Sequence, residues 1–132
     1  MRILFTALCW GSAFPLVEVA PSPETTETVV ARTMALMERI GQKPILVRRE
    51  IEGFVLNRLQ GALLNEALRL LRDGVASAAD IDRAVSDGLG RRWAFMGPLQ
   101  TIDLNAPGGA GDYADRYGPI YRRVDEARDA QP

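Results

Sequence analysis

The spacing of apolar residues changes along the chain, and the first part has the order strand, helix, strand. Residues 16–19 form a short β-prone run that ends in a Pro-Ser-Pro turn. The next helix is predicted to have Ser22 as its N-cap, Pro23 at its first position and Gly41 at its C-terminal end. Residues 44–47 give a second short strand. This order within about 30 residues is that of a βαβ unit and predicts a parallel sheet.

Two short parallel strands make a poor sheet by themselves, because parallel strands are normally buried on both faces. We therefore expect these two strands to be the end of a larger sheet whose other strands lie outside this sequence. On this ground the chain is expected to be incomplete.

From Gly53 onward the apolar residues recur at helical spacing. A long amphipathic helix is predicted over residues 54–71, with Gly74 just past its end. Ser77 and Asp80 have the spacing of a capping box for the next helix. The remaining elements are expected to be a helix stop near residues 88–90, a helix over 98–104, a flexible break at Gly108, Gly109 and Gly111, and a last helix over 112–127.

The 132-residue chain contains no histidine and a single cysteine, Cys9. Histidine is the usual general base near neutral pH and the commonest metal ligand, so both uses are excluded, as is a Cys/His zinc site. No internal disulfide can form, which favours a reducing compartment. The formal net charge of -1 predicts neither nucleic acid nor an anionic membrane as a partner.

The first 15 residues require a separate interpretation. Residues 3–10 are apolar, Arg2 precedes them and small residues follow, which is the outline of a short signal peptide. The run is too short to span a bilayer. We favour an irregular apolar leader over residues 1–15, because the rest of the chain is typical of a cytoplasmic protein.

Four short motifs follow the leader. They are Leu-Val-Glu-Val at 16–19, Gly-Phe-Val-Leu-Asn-Arg at 53–58, Asn-Glu-Ala at 65–67, and Gly-Pro-Leu at 97–99 followed by Asp103. In this order and spacing they resemble the 3-hydroxyacyl-CoA dehydrogenase family over residues 16–128. Residues 86–90, with the Trp-Ala-Phe motif at 93–95 after them, are most similar to the branch that contains lambda-crystallin and L-gulonate 3-dehydrogenase.

The resemblance implies a mainly α fold, with a helical bundle of this family's C-terminal type at residues 53–132. A βαβ remnant of a Rossmann-type sheet precedes it at residues 16–52. The resemblance also implies an oxidoreductase that uses NAD to oxidise a CH–OH group. The substrate is then a 3-hydroxyacyl-CoA or a small hydroxyacid such as L-gulonate, and the helical domain carries the contact of a homodimer.

The resemblance assigns two residues to the site. In the family a glutamate orients the histidine that takes the hydroxyl proton, and Glu18 occupies its position. An asparagine helps to hold the substrate oxygen, and Asn57 occupies that position. The histidine motif has no counterpart, because counting back without gaps places Thr6 at the histidine, Cys9 at an asparagine and Trp10 at a proline.

The glycine-rich phosphate loop of a Rossmann domain is also missing, because the sequence contains no Gly-x-Gly-x-x-Gly and no strand is predicted before residues 108–111. We therefore expect this chain alone to bind no NAD and to be inactive. A non-catalytic helical dimerisation module is one alternative. A subunit that docks on a separately encoded nucleotide-binding domain is the other.

The individual residues also have structural interpretations. Without a histidine, Glu18 can be a surface or edge carboxylate, and Asn57 can serve local backbone bonding at a helix start. Arg58 can form an interdomain or interface ion pair or contact a ligand. Glu66, near an apolar helix face, requires a structural partner. The spacing of Tyr113, Tyr117 and Tyr121 predicts a stripe that packs on one side of a helix. Trp93 and Phe95 can either line the mouth of a substrate site or pack between subunits.

Overall fold

The computed structural model describes residues 3–6 and 15–129. Its strands are β1 (Ile3–Thr6), β2 (Leu16–Pro21) and β3 (Lys43–Leu46). Its helices are α1 (Glu27–Arg39), α2 (Phe54–Arg72), α3 (Ala78–Arg83), a π-helical segment (Ala84–Leu89), α4 (Gly90–Trp93), α5 (Pro98–Asn105) and α6 (Gly109–Asp129). The predicted mainly α fold class is confirmed.

The described strands form a three-stranded sheet in the order β1-β2-β3. Strands β2 and β3 are parallel and α1 joins them, which confirms the predicted βαβ unit. Strand β1 runs antiparallel to β2. The prediction of an irregular leader is therefore wrong at residues 3–6, which form a strand. The edge of β2 offers this apolar segment a row of backbone hydrogen-bonding groups. Residues 1–2 and 7–14, on which the rest of the leader and the signal-peptide interpretation depend, lie outside the described residues.

Helix α1 begins at Glu27, later than predicted. Its N-cap is Thr26, whose side chain accepts a hydrogen bond from the backbone of the first turn. Ser22 instead closes a turn, because its carbonyl accepts a 2.9 Å hydrogen bond from the backbone N–H of Thr25. The predicted N-cap at Ser22 is wrong: threonine also serves as a cap, and Thr26, which lies next to the apolar periodicity, is the one used.

Two glycines end helices as predicted. Gly41 and Gly74 have φ values of 82° and 66°, in the left-handed region that favours glycine. The residue after each glycine donates a hydrogen bond to the carbonyl five positions back, at 2.9 Å after Gly41 and 3.0 Å after Gly74. These bonds satisfy carbonyls that a helix end leaves unpaired.

Ser77 and Pro98 start helices where the sequence places them. The Ser77 hydroxyl accepts a hydrogen bond from the backbone N–H of Asp80 at 3.2 Å and donates one to the Asp80 carboxylate at 2.6 Å. The capping role of Ser77 is therefore confirmed, although the carboxylate binds the hydroxyl and not the backbone of Ser77. Pro98 follows the N-cap Gly97 at the start of α5.

The helix that begins after Ser77 is predicted to stop near residues 88–90. This prediction is wrong, because the helix continues through the π-helical segment into α4. The backbone N–H of Gly90 donates to the carbonyl of Val85, which is the wider i→i+5 turn of a π-helix. A Cβ atom on Gly90 would lie 2.8 Å from that carbonyl oxygen. The glycine therefore permits a wide turn here and does not end the helix.

The flexible break predicted at Gly108, Gly109 and Gly111 is also wrong. Gly109 and Gly111 belong to the first turn of α6. The backbone N–H of Gly108 donates a 3.2 Å hydrogen bond to the carboxylate of Asp112. This carboxylate stabilises the helix start, which offsets the conformational freedom of the glycines.

The chain divides into two compact units, Met1–Arg69 and Leu70–Pro132. Buried apolar side chains in the first unit are those of Val17, Val19, Ala20, Val47 and Phe54. Buried residues in the second unit are Thr101 and Ala106. This division falls inside α2, and the predicted domain boundary at residue 52 stays a prediction. In residues 3–6 and 15–129 no helix has the length and apolar character needed to cross a membrane.

Candidate functional site

Glu18 lies on β2, the middle strand of the described sheet. It is 2% exposed, and its neighbours Val17 and Val19 are buried as well. Successive side chains of a strand point to opposite faces, so both faces of β2 are covered here. The interpretation of Glu18 as a surface or edge carboxylate is therefore wrong.

The carboxylate of Glu18 binds the start of α2. Its Oε1 atom accepts hydrogen bonds from the backbone N–H groups of Val55 at 2.8 Å and Leu56 at 3.1 Å. The first N–H groups of a helix have no partner within the helix, and this end carries the positive pole of the helix dipole. A buried carboxylate at this position is consequently both hydrogen-bonded and electrostatically favoured.

The two residues before these donors adopt left-handed backbone conformations. Gly53 has a φ of 76° and Phe54 a φ of 50°. Phe54 is buried against Ala20 and Val47 in the core of the first unit. The unfavourable φ of this aromatic residue is therefore held by core packing on one side and by the hydrogen bonds to Glu18 on the other.

Asn57 follows directly after the two donors, in the first turn of α2, and it is exposed. Within the described residues its amide makes no hydrogen bond to the backbone, so nothing supports the interpretation of local bonding. A Cβ atom on Gly53 would lie 3.7 Å from the Cβ of Asn57 and 3.4 Å from the Cγ of Arg58. The structure thus places both predicted site residues, Glu18 and Asn57, at one strand–helix junction.

Thr6, the residue at the position of the family's histidine, stands opposite Glu18 in the antiparallel register of β1 and β2. The backbone thus brings the counted position of the histidine to the glutamate, although the residue there is a threonine. Cys9 and Trp10, the other two positions of that motif, lie outside the described residues.

Glu66 is half-buried and lies 3.6 Å from the guanidinium of Arg69, one helical turn away on α2. The expectation that this carboxylate has a partner is thereby confirmed. Trp93 and Phe95 are both exposed, the latter to 78%. The choice between a substrate mouth and a subunit contact stays a prediction for both.

The tyrosines of α6 contact one another along one side of the helix, and their packing against another element stays a prediction. The ring centroids of Tyr113 and Tyr117 are 4.6 Å apart, and the hydroxyls of Tyr113 and Tyr121 are hydrogen-bonded at 2.9 Å. This bond to Tyr121, with partial burial second, raises the pKa of Tyr113. Asp112, the residue before Tyr113, has a lowered pKa, first because the Arg116 guanidinium binds its carboxylate and second because the backbone N–H of Gly108 donates a hydrogen bond to it.

Sequence reasoning missed Arg92 on α4. Its Nε atom is buried, and no residue of the described chain accepts a hydrogen bond from it. Its neighbour Arg91 is exposed and lies 3.9 Å from Asp87. No periodicity or motif separates these two adjacent arginines, so the sequence carries no signal for the difference. No group of three or more metal-ligating side chains occurs in the part of the chain that the structure describes.

Comparisons with known families match the chain in two consecutive parts. Residues 11–51 match the domain family described as "3-hydroxyacyl-CoA dehydrogenase, NAD binding domain". Residues 53–130 match "3-hydroxyacyl-CoA dehydrogenase, C-terminal domain".

Individual relatives agree with these matches. Lambda-crystallin of Oryctolagus cuniculus is 54% identical over 110 residues, which are 83% of this chain and 34% of that protein. L-carnitine dehydrogenase of Oceanobacillus iheyensis is 42% identical, over 82% of this chain and 36% of that protein. A solved structure of 5-formyl-3-hydroxy-2-methylpyridine 4-carboxylic acid 5-dehydrogenase, an NAD+ dependent dismutase, has a TM-score of 0.67 and 32% identity, over 89% of this chain and 34% of that one. The chain thus spans about a third of the length of these relatives.

Proposed function

Because the chain belongs to the 3-hydroxyacyl-CoA dehydrogenase family, we propose that it supplies the substrate-side part of a dehydrogenase for a 3-hydroxyacid or a 3-hydroxyacyl-CoA. The family consists of NAD-dependent 3-hydroxyacyl-CoA and hydroxyacid dehydrogenases. The observation that carries the proposal is the junction at which the buried carboxylate of Glu18 binds the first turn of α2, directly before Asn57. One buried carboxylate and one exposed amide thereby lie at the same strand–helix junction.

The two residues have different roles in this proposal. The Asn57 amide donates a hydrogen bond to the substrate oxygen, which stabilises the negative charge that develops as the hydroxyl proton leaves. Glu18 orients the base that takes this proton. The chain has no histidine, so the base comes from another polypeptide or another part of the enzyme.

The described residues do not fit the cofactor. NAD accepts the hydride in this family, and its pyrophosphate is normally held by a glycine-rich turn between a strand and a helix. Of the glycines at 108–111, Gly108 precedes α6 and Gly109 and Gly111 belong to its first turn, and the element before them is the helix α5 and not a strand. We therefore propose that the chain alone neither holds NAD nor turns over substrate.

The test measures NADH formation from L-gulonate and from a 3-hydroxyacyl-CoA. The chain alone should give no more NADH than a heat-denatured sample. Addition of a separately produced NAD-binding domain of a relative should give substrate-dependent NADH, and Asn57→Ala should lower this rate about 100-fold, the usual cost of one lost oxyanion donor. Gln60→Ala, also exposed on α2, is the matched control and should keep the rate. Turnover by the chain alone, or equal rates for the two variants, would contradict the proposal.

A dimerisation module is the second candidate, and the exposed face of α2 favours it. Leu64, Leu68 and Leu71 recur at i, i+4 and i+7 and are 53%, 54% and 44% exposed. Such a stripe is typical of helices that pack against another surface. Sedimentation of the purified chain tests this function: a dimer that Leu68→Glu dissociates supports it, and a monomer at all concentrations excludes it. A complementing subunit would also be monomeric alone but would sediment with the added NAD-binding domain.

A further inference from the structure

The start of α2 has no capping side chain of its own. Helices usually begin with a serine, threonine or aspartate whose side chain binds the N–H groups of the first turn. Here the residues before the donors are Gly53, which has no side chain, and Phe54, which is buried in the core. The N–H groups of Val55 and Leu56 are bound by Glu18 from β2 instead.

The charge of Glu18 is balanced by the same contact. In the described residues no lysine or arginine forms an ion pair with this carboxylate. Moving a carboxylate out of water is costly unless hydrogen bonds and opposite charge compensate. Two N–H donors and the positive end of the 19-residue helix α2 provide that compensation here. Glu18 is thus placed and stabilised without a histidine.

We propose that Glu18 is a positioning residue for Asn57: its carboxylate fixes the first turn of α2 and the left-handed Gly53–Phe54 turn before it, and it does so independently of any base. The inference rests on the proposed function for the importance of Asn57, but the contact can be tested without turnover. Asn57 is the residue next to the two donors, so a first turn of α2 that loses its cap changes the position of Asn57 directly.

The experiment follows backbone and side-chain amides of the full chain by NMR. In Glu18→Gln the shape is kept and the charge is lost, so hydrogen exchange at Val55 and Leu56 should rise about tenfold or more, in keeping with the loss of a charge-assisted bond. The side-chain amide signals of Asn57 should shift in the same variant. Ala106, the residue directly after α5, is fully buried, and its backbone N–H donates a 2.9 Å hydrogen bond to the carbonyl of Ile102; it serves as the internal reference and should keep its exchange rate.

Glu52→Gln is the matched control. Glu52 lies two positions before Phe54 and is exposed, so its removal changes the net charge near α2 equally but breaks no described contact to the first turn. Exchange at Val55 and Leu56 should stay within about twofold of wild type in this control, since an exposed charge near a helix end contributes little. Equal effects of the two variants would overturn the proposal, because a general charge effect would then be sufficient.

Adding a small carboxylate to Glu18→Ala tests whether the missing carboxylate, and not a general loss of structure, causes the change at Asn57. Acetate in the space left by the side chain should restore the slow exchange at Val55 and Leu56 and the wild-type signals of Asn57, whereas acetamide should not. If Glu18→Ala does not fold, the Glu18→Gln comparison alone decides. Exchange at Val55 and Leu56 within twofold of wild type in Glu18→Gln, or an unmoved Asn57 amide, would overturn the inference. Failure of NADH formation with an added NAD-binding domain would affect only the proposed function.

Discussion

The Oε1 atom of Glu18 lies 2.8 Å from the backbone nitrogen of Val55, across 37 positions of sequence. This contact joins the middle strand of the sheet to the longest helix of the first unit. A second bond from Leu56 to the same oxygen makes it bifurcated at the acceptor. The contact therefore links the stability of the sheet to the position of the helix start.

Loss of this carboxylate should destabilise the chain. Glu18→Ala removes the acceptor of two part-buried backbone hydrogen bonds, and the free energy of unfolding should fall by about 2–4 kcal/mol, since bonds to charged groups contribute about 1.5–3 kcal/mol each and their effects overlap. Urea denaturation followed by circular dichroism measures this change. Glu52→Gln should stay within about 0.5 kcal/mol of wild type, as is usual at exposed positions. A similar loss in both variants would show that the contact with α2 has no special role.

Some helix ends and the parallel βαβ unit of this fold could be predicted from the sequence, whereas the contact that positions α2 could not. The helix ends at Gly41 and Gly74 follow from the left-handed preference of glycine, and the cap at Ser77 follows from side-chain chemistry within three residues. The capping of α2 by Glu18 has no local signal, because the two partners are 37 and 38 positions apart. The family resemblance gives Glu18 the role of orienting a histidine. Only the structure shows that Glu18 contacts the start of α2.

The same residue type also has opposite effects in different places, which limits prediction. Gly41 ends a helix, whereas Gly90 lies inside a continuous helical segment because its missing side chain admits the carbonyl of Val85. Gly109 has a φ of 78° and still belongs to the first turn of α6. Whether a glycine ends a helix, lies inside one or starts one depends on the atoms around it, and the pattern of neighbouring residues in the sequence does not give those contacts.

Gly53 and Gly61 should respond to alanine in opposite directions. Gly53→Ala forces a Cβ into a left-handed conformation at φ 76° and within 3.4 Å of the Arg58 side chain, so it should cost about 1–2 kcal/mol. Gly61 lies inside α2 with open space around its Cβ position, so Gly61→Ala should stabilise the chain by about 0.5–1 kcal/mol. Urea midpoints of the two variants check this. The prediction fails if both midpoints move in the same direction.

Replacement of Arg92 by methionine should stabilise the chain. Its buried Nε has no acceptor in the described residues, and an unsatisfied buried donor costs about 1–3 kcal/mol. Arg92→Met keeps the aliphatic stem and removes the donor, so thermal unfolding should shift to higher temperature by an amount equivalent to about 1 kcal/mol. Arg91→Met, at the adjacent exposed position, should change stability by less than about 0.5 kcal/mol. A lower melting temperature for Arg92→Met than for Arg91→Met would show that Arg92 has a favourable partner.

Asp112 should contribute stability that depends on pH. Its pKa lies below the ordinary value of 3.8, first because the Arg116 guanidinium binds the carboxylate and second because the Gly108 N–H does. A carboxyl with a lowered pKa in the folded state stabilises that state at pH values above its unfolded pKa, and this contribution is lost as the pH falls through the folded pKa. Asp112→Asn should therefore lower the melting temperature at neutral pH, and the difference from wild type should disappear as the pH falls below 3.8. Melting curves across this range measure the effect.

The pKa of the Asp112 carboxyl can also be measured directly by NMR titration. The midpoint in wild type should lie below 3.8, and Arg116→Gln should raise it toward that value because the largest cause of the shift is removed. Arg122→Gln, at another exposed arginine of the same helix, is the matched control and should leave the midpoint of Asp112 unchanged. A wild-type midpoint at or above 3.8 would mean that the carboxylate does not bind Arg116 and Gly108 in solution, and the account of the α6 start would then be wrong.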